Sequence, residues 1–205
     1  MTHFDDPGVD LEAALGVTDP ELAALRARLA VRAEQEGMLD LAHRTVPSPI
    51  GPLLLVASPR GLVRVAFEVE DHEAVLERLA ATVSPRLLAS DLRTDEAARQ
   101  LEEYFDGRRR RFELPVDLRL LGGFRRTVVE QLAQIPYGET ASYAAVAASA
   151  GNPAAVRAAG SACSHNPLPV VLPCHRVVRS DGAIGNYLGG TAAKRALLEL
   201  ESRAA

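Results

Sequence analysis

Apolar and polar positions along the 205-residue chain fall into a succession of short regular patterns. In "DPELAALRARLAVRAEQEGM" Leu22, Leu25 and Leu29 recur at helical spacing, which predicts a helix in the alanine-rich segment that runs to residue 44. "GPLLLVASPRGLVRVAFE" instead holds two aliphatic runs separated by Ser58-Pro59-Arg60-Gly61, the pattern of a β-hairpin and the start of a small sheet. Helical patterns return over about residues 71–81 and 94–105, and "DGRRRRFELPVD" then reads as a linker or sheet edge punctuated by Pro115. A domain boundary is expected near Asp117.

Beyond it, Phe124, Val128, Val129, Leu132 and Ile135 fall at helical spacing, and "IPYGE" ends that helix. "TASYAAVAASAGNPAAVRAAGSACSHNP" reads as helix, tight turn, helix: Ser142 caps the first, Gly151 closes it, and Asn152 caps the second with Pro153 at its first position. These are the dimensions of a helix-turn-helix. The second helix carries Ala154, Ala155, Ala158, Ala159, Gly160 and Ala162, with Arg157 as its only long side chain. So small a surface permits close approach, either to another helix of the same protein or to a nucleic-acid groove. The segment itself leaves both readings open.

Composition narrows the class. With 47% hydrophobic residues the chain can bury one large core or two modest ones. No apolar run approaches the ~18 residues of a membrane span, and "MTHFDDPGVD" lacks the basic-then-apolar order of a signal peptide. A cytoplasmic protein without a membrane partner is expected. In a reducing compartment its two cysteines, Cys163 and Cys174, are expected as free thiols. Charge is uneven. Residues 1–44 are acidic, while from Arg119 onward Arg and Lys outnumber Asp and Glu, so a polyanion would be met by the C-terminal part.

Candidate chemistry concentrates in "VVLPCHRVVRS" (residues 170–180). Neighbours on a strand point to opposite faces, so His175 would reach the Cys174 thiol only through turn geometry or a bridging water. Pro173 helps place the thiol at a strand end. A thiolate is the reactive form, and a base oriented by an acid is the usual means of obtaining it near neutral pH. Cys163, His165, Cys174 and His175 lack the C-x2–4-C or H-x3–5-H order of a structural zinc site, so no metal is expected.

"NPLPVVLPCHRVVRSDGAIGNYLGG", preceded by "IPYGETASYAAVA" and followed by "KRALLELE", closely resembles the O6-alkylguanine-DNA alkyltransferases, over about residues 45–201. The resemblance implies an α/β fold: a small ribonuclease-H-like N-terminal domain (45–117), then a mostly helical DNA-binding and catalytic domain with a helix-turn-helix (118–205). Residues 1–44 would be an acidic, helix-prone extension outside the family pattern. By the same resemblance Cys174 is the alkyl acceptor, His175 the base acting through a water, and Glu201 the acid that orients it. Asn166 ties the adjacent turn, and Tyr143 donates a hydrogen bond to the guanine ring. The backbone carbonyls of Cys174 and Val177 read the exocyclic amine, and Tyr187, Leu188 and Gly189 belong to the loop closing the base pocket. Arg157 fills the stack as the nucleotide rotates out, with Ser142, Ala155, Ala158 and Gly160 on the DNA-binding surface. The implied partner is double-stranded DNA containing O6-alkylguanine, bound by a monomer, with cooperative binding along DNA an added possibility and no cofactor. A regulatory helix-turn-helix protein would not need Cys174, His175 and Glu201 together, and a non-catalytic lesion binder would not need the thiol.

Overall fold

The computed structural model describes residues 18–203. Helix α1 (Asp19–Gln35) opens with the Thr18 N–H donating to the Glu21 carboxylate at 2.9 Å. Its packing face is Ala30 and Ala33, whereas Leu25 and Leu29 of the leucine series are about half exposed. Small side chains let the helix lie close on its neighbours, and the leucines point elsewhere.

Four strands follow: β1 (Leu41–Val46), β2 (Leu53–Ser58), β3 (Gly61–Phe67) and β4 (Leu87–Ala89), in spatial order β3-β2-β1-β4. The hairpin β2–β3 and the pair β1–β2 are antiparallel, and β4 joins β1 in parallel. The sheet therefore begins at Leu41, inside the segment expected to lie outside it. All of β2 is buried because both faces are covered. Leu54 and Val56 pack with Val75 and Leu79 of α2 (His72–Thr82), while Leu53, Leu55 and Ala57 face the rest of the molecule. A bulge opposite Val56 and Ala57 leaves Val63 unpaired and turns Val65 and Phe67 toward that second face. Helix α3 (Asp95–Phe105) completes this half.

The arginine run 108–111 leads into a segment that follows the edge of β3: the Leu62 N–H donates to the Pro115 carbonyl at 2.9 Å, and the Asp117 N–H to the Leu62 carbonyl at 2.8 Å. Gly61 is required there. A Cβ at its position would lie 2.2 Å from the Pro115 oxygen.

The C-terminal half contains α4 (Gly123–Leu132), α5 (Tyr143–Ser149), α6 (Val156–Ser164) and α7 (Gly190–Arg203). Ile135 continues the apolar pattern of α4 but sits in the turn after it. Two short parallel strands, β5 (Ala141–Ser142) and β6 (Val177–Val178), join the helix-turn-helix to the Cys174 region. Ser142 caps α5 as expected, accepting from the Ala145 N–H at 3.1 Å. The expected start of α6 is corrected: Asn152 does not cap it and Pro153 is not its first residue. Pro153 instead occupies a turn closed by the Ala155 N–H on the Asn152 carbonyl (3.0 Å), and α6 begins at Val156 without a side-chain cap.

One apolar cluster spans both halves, from Leu53, Leu55, Phe67 and Leu101 to Val128, Leu172, Val177 and Leu197. Backbone bonds cross the same seam, with the Val65 N–H donating to the Pro167 carbonyl at 2.8 Å.

Candidate active site

The loop before Cys174 is not the strand that its apolar run suggests. Asn166, fully buried, receives the Leu168 N–H on its side-chain oxygen (3.0 Å) and donates to the Leu172 carbonyl (2.7 Å), closing the chain into a compact turn. Within it Val170 has φ +71°, a left-handed conformation that costs a β-branched residue roughly 1–3 kcal/mol. The turn delivers the chain to Pro173, and Cys174–Arg176 then form a single 3-10 turn rather than a strand. Within that turn the Val177 N–H caps the Cys174 carbonyl.

Cys174 is 3% exposed and His175 is fully buried. Burial pushes the Cys174 thiol up to about 11, against the opposing pull of Asn166 and the Lys194 ammonium. Burial likewise holds His175 below its ordinary value, although Glu201 works in the other direction. His175 Nε2 lies 2.9 Å from Glu201 Oε1. A carboxylate acceptor there places the ring proton on Nε2, leaving Nδ1 as a lone pair. Nδ1 is buried and takes no hydrogen bond from the described residues.

Glu201 is the centre of the arrangement. Besides His175 it accepts from Arg176 Nε and Nη2 (2.9 Å each), the Tyr104 hydroxyl (2.7 Å) and the Gly138 N–H (3.2 Å). Burial alone would raise its carboxyl, but the His175 and Arg176 hydrogen bonds dominate and hold it at about 2. Arg176 also donates to the Ile135 carbonyl at 2.6 Å and lies 5.7 Å over the Tyr137 ring. An ionised carboxylate thus faces a neutral imidazole with a free nitrogen, an arrangement that can accept a proton at Nδ1.

Helix α7 carries a second polar group on the face of Glu201. Lys194, two turns earlier and fully buried, donates from Nζ to the Val177 carbonyl at 2.5 Å. That carbonyl was expected to read the exocyclic amine, and a carbonyl oxygen has a second lone pair for this.

Tyr143, at the start of α5, is half-buried with its hydroxyl against Gly185, where a Cβ would lie 2.9 Å from the oxygen. Gly189 faces Phe67 from β3, whose ring would be 2.7 Å from an added Cβ, and Tyr187 meets the same ring edge-on at 5.5 Å. Leu188 is partly buried against the core. The loop of Tyr187, Leu188 and Gly189 is therefore seated on the N-terminal half.

Helix α6 divides its small residues between a buried and an exposed face. Ala159, Ala162 and Cys163 pack inward, while Arg157 and Ala158 are exposed and Ala155 is half-buried. Gly160 is half-buried near the Tyr143 ring, which an added Cβ would meet at 3.8 Å, an ordinary contact, so the ring alone does not require a glycine there. Arg157 makes no hydrogen bond or ion pair among the described residues, and its guanidinium extends from the outer face. Cys163 is a packed thiol, pushed up to about 12 by burial and by the neighbouring Cys174. His165 is exposed and bonded to the Ser161 carbonyl at 2.7 Å. Among the described residues no group of three or more His, Cys, Asp or Glu is arranged to hold a metal ion.

The sequence assigns no role to Tyr104 or Lys194, and Arg176 enters only as the last residue of the Pro-Cys-His-Arg motif. Arg176 adjoins the Cys-His pair, and Lys194 interrupts an apolar helical face seven residues before Glu201, so both left a trace. Tyr104, in the other half, left none.

A buried thiol, an oriented histidine and a helix-turn-helix share one small scaffold, the parts that nucleophilic chemistry on DNA would need. Residues 123–203 match the family model "6-O-methylguanine DNA methyltransferase, DNA binding domain", and residues 41–118 match its "ribonuclease-like domain". The chain belongs to this family. It is 40% identical over 163 residues to the methylated-DNA–protein-cysteine methyltransferase of Mycolicibacterium paratuberculosis, covering 80% of this chain and 93% of that protein. Against the constitutive enzyme of Bacillus subtilis it is 37% identical, with 78% and 94% covered. The crystal structure of Mycobacterium tuberculosis O6-methylguanine methyltransferase superposes with a TM-score of 0.70 at 37% identity, covering 80% of this chain and 94% of that one. A second structure of the M. tuberculosis protein, in complex with DNA, gives 0.68 at 39% identity and the same coverage. Among the described residues no helix is long and apolar enough to cross a membrane.

Proposed function

We propose that Cys174 is the acceptor through which this protein removes the alkyl group from O6-alkylguanine in duplex DNA. The observation that supports this reading is the His175 Nε2 hydrogen bond to Glu201, which leaves Nδ1 buried and without a partner on the residue that follows the buried Cys174 in the chain. His175 Nδ1 takes the thiol proton through a water. The thiolate attacks the alkyl carbon, a carbon–sulfur bond forms, the bond to O6 breaks, and its electron pair leaves with guanine. Tyr143 donates a hydrogen bond to the ring nitrogen and so stabilises the departing base. Nothing in this sequence of steps regenerates the thiol from its thioether, so each molecule acts once.

A thiol 3% exposed cannot reach a stacked base. The nucleotide must rotate out at a cost of a few kcal/mol. The exposed outer face of α6, with Arg157 extending from it, enters the minor groove and fills the gap. Because that groove identifies sequence poorly, search for the lesion is independent of sequence. The carbonyls of Cys174 and Val177 meet the exocyclic amine, and Tyr187, Leu188 and Gly189 close the pocket. We place the protein in the cytoplasm, acting as a monomer.

His175→Ala should slow single-turnover methyl transfer by roughly 10²- to 10⁴-fold, the usual cost of removing a general base, while DNA affinity changes little. Equal losses of rate and affinity would contradict the assignment.

A further inference from the structure

The N-terminal half supplies neither the thiol, the base nor the helix-turn-helix, yet one of its side chains reaches the centre of the site. Tyr104, on α3, is fully buried, and its hydroxyl donates to Glu201 Oε1 at 2.7 Å. The same hydroxyl is 3.5 Å from His175 Nε2, whose proton is already directed at Oε1, so the carboxylate is its acceptor. Its ring is fixed by Phe105 and Phe112, each at a centroid distance of 5.3 Å, and by Tyr137 at 6.1 Å. The phenol is thus aimed rigidly across the seam between the two halves.

We infer that Tyr104 is a positioning residue for alkyl transfer, a fourth member that the ribonuclease-like domain adds to the Cys174, His175 and Glu201 array. This rests on the function proposed above. Oε1 holds His175 in place, and two other donors, Tyr104 and Arg176 Nη2, share that oxygen. Together they restrict the carboxylate to the orientation in which Oε1 faces Nε2. Tyr104 is the only one of them from the N-terminal half. Docking of that domain therefore completes the base instead of merely covering the core.

The sign of the effect follows from the chemistry of a shared acceptor. With the phenol removed, Oε1 becomes the more basic atom and holds a protonated His175 more firmly. Protonated His175 cannot accept the thiol proton, so the acidic limb of the rate profile moves to higher pH. A stronger donor at the same place moves it lower. The other charged or titratable groups around the pair are Arg176 and Cys174 from the turn, Tyr137 ahead of β5, Tyr187 from the pocket loop and Lys194 from α7. All of them remain when Tyr104 alone is changed.

The experiment measures alkylation by free O6-benzylguanine across pH, per folded molecule, for wild type, Tyr104→Phe, protein with 3-fluorotyrosine at position 104, and Glu201→Gln. The Phe variant keeps the ring packing, and the fluorinated ring keeps the hydroxyl while making it a better donor. Tyr104→Phe is expected to lower the plateau rate about ten-fold, the order of one hydrogen bond to a charged group. Its acidic limb should move up and that of the fluorotyrosine protein down. A Phe variant that is less stable but keeps the wild-type profile, with an unmoved fluorotyrosine profile and a slow Glu201→Gln, overturns the role of Tyr104 alone. Full activity of Glu201→Gln overturns the reading of the site, and this inference with it.

Discussion

A single carboxylate determines the state of the whole site. Glu201 is 1% exposed and remains ionised because five donor contacts surround it. Removing its charge leaves Arg176 buried without a counter-ion, a change that typically costs about 3–5 kcal/mol. Its pH dependence has a defined sign. The folded carboxyl sits at about 2, below its ordinary 4.5, so its contribution is complete above 4.5 and is lost as pH falls toward 2. His175, held neutral by burial, loses stability in the same direction, beginning below its ordinary 6.5. Urea midpoints measured from pH 6 down to pH 2.5 should therefore fall steeply for wild type. Glu201→Gln should start lower and fall less steeply between 4.5 and 2. Parallel slopes for the two proteins would show that Glu201 is not the ionised centre. The sequence pointed to this glutamate only through the family pattern, because the contact joins positions 26 residues apart and no local spacing encodes it.

Among the elements, α6 is the most exposed to test. Its inner face of Ala159, Ala162 and Cys163 is buried, and its outer face offers Arg157 with small neighbours. Arg157→Ala should impair repair of O6-methylguanine in a duplex much more than alkylation by free O6-benzylguanine, because only the duplex requires a nucleotide to be displaced. Similar losses with both substrates would remove Arg157 from that role. The helix itself was legible from its small residues, but its start was not. Asn152 and Pro153 form both a good cap with a first-turn proline and a good turn, and here the turn prevails. The run before Cys174 was misleading for a related reason. Its apolar residues are buried as in a strand, yet Asn166 bends them into a turn and Val170 adopts a conformation that its side chain disfavours.

At the scale of the molecule, the two halves share one apolar cluster, one carboxylate and the loop of Tyr187 and Gly189, which rests on Phe67. The hairpin and the Cys-His-Glu set could be read along the chain, because each depends on local pattern or on a specific motif. The seam could not. Tyr104 lies in "LEEYFDG", where its spacing is that of any core aromatic, and its hydroxyl finds Glu201 only once the domains pack. The first strand also began earlier than expected, since Leu41 and Ala42 follow a helix-prone stretch and only pairing with β2 and β4 makes them sheet. The central claim is that this assembly delivers one alkyl group to one thiol. The most direct measurement is intact mass, followed by peptide mapping, after incubation with an excess of duplex carrying a single O6-methylguanine. The account predicts one added methyl group per molecule, located on Cys174, with guanine restored in an amount equal to the protein. Repair beyond one equivalent, or a methyl group on Cys163 or elsewhere, would contradict it.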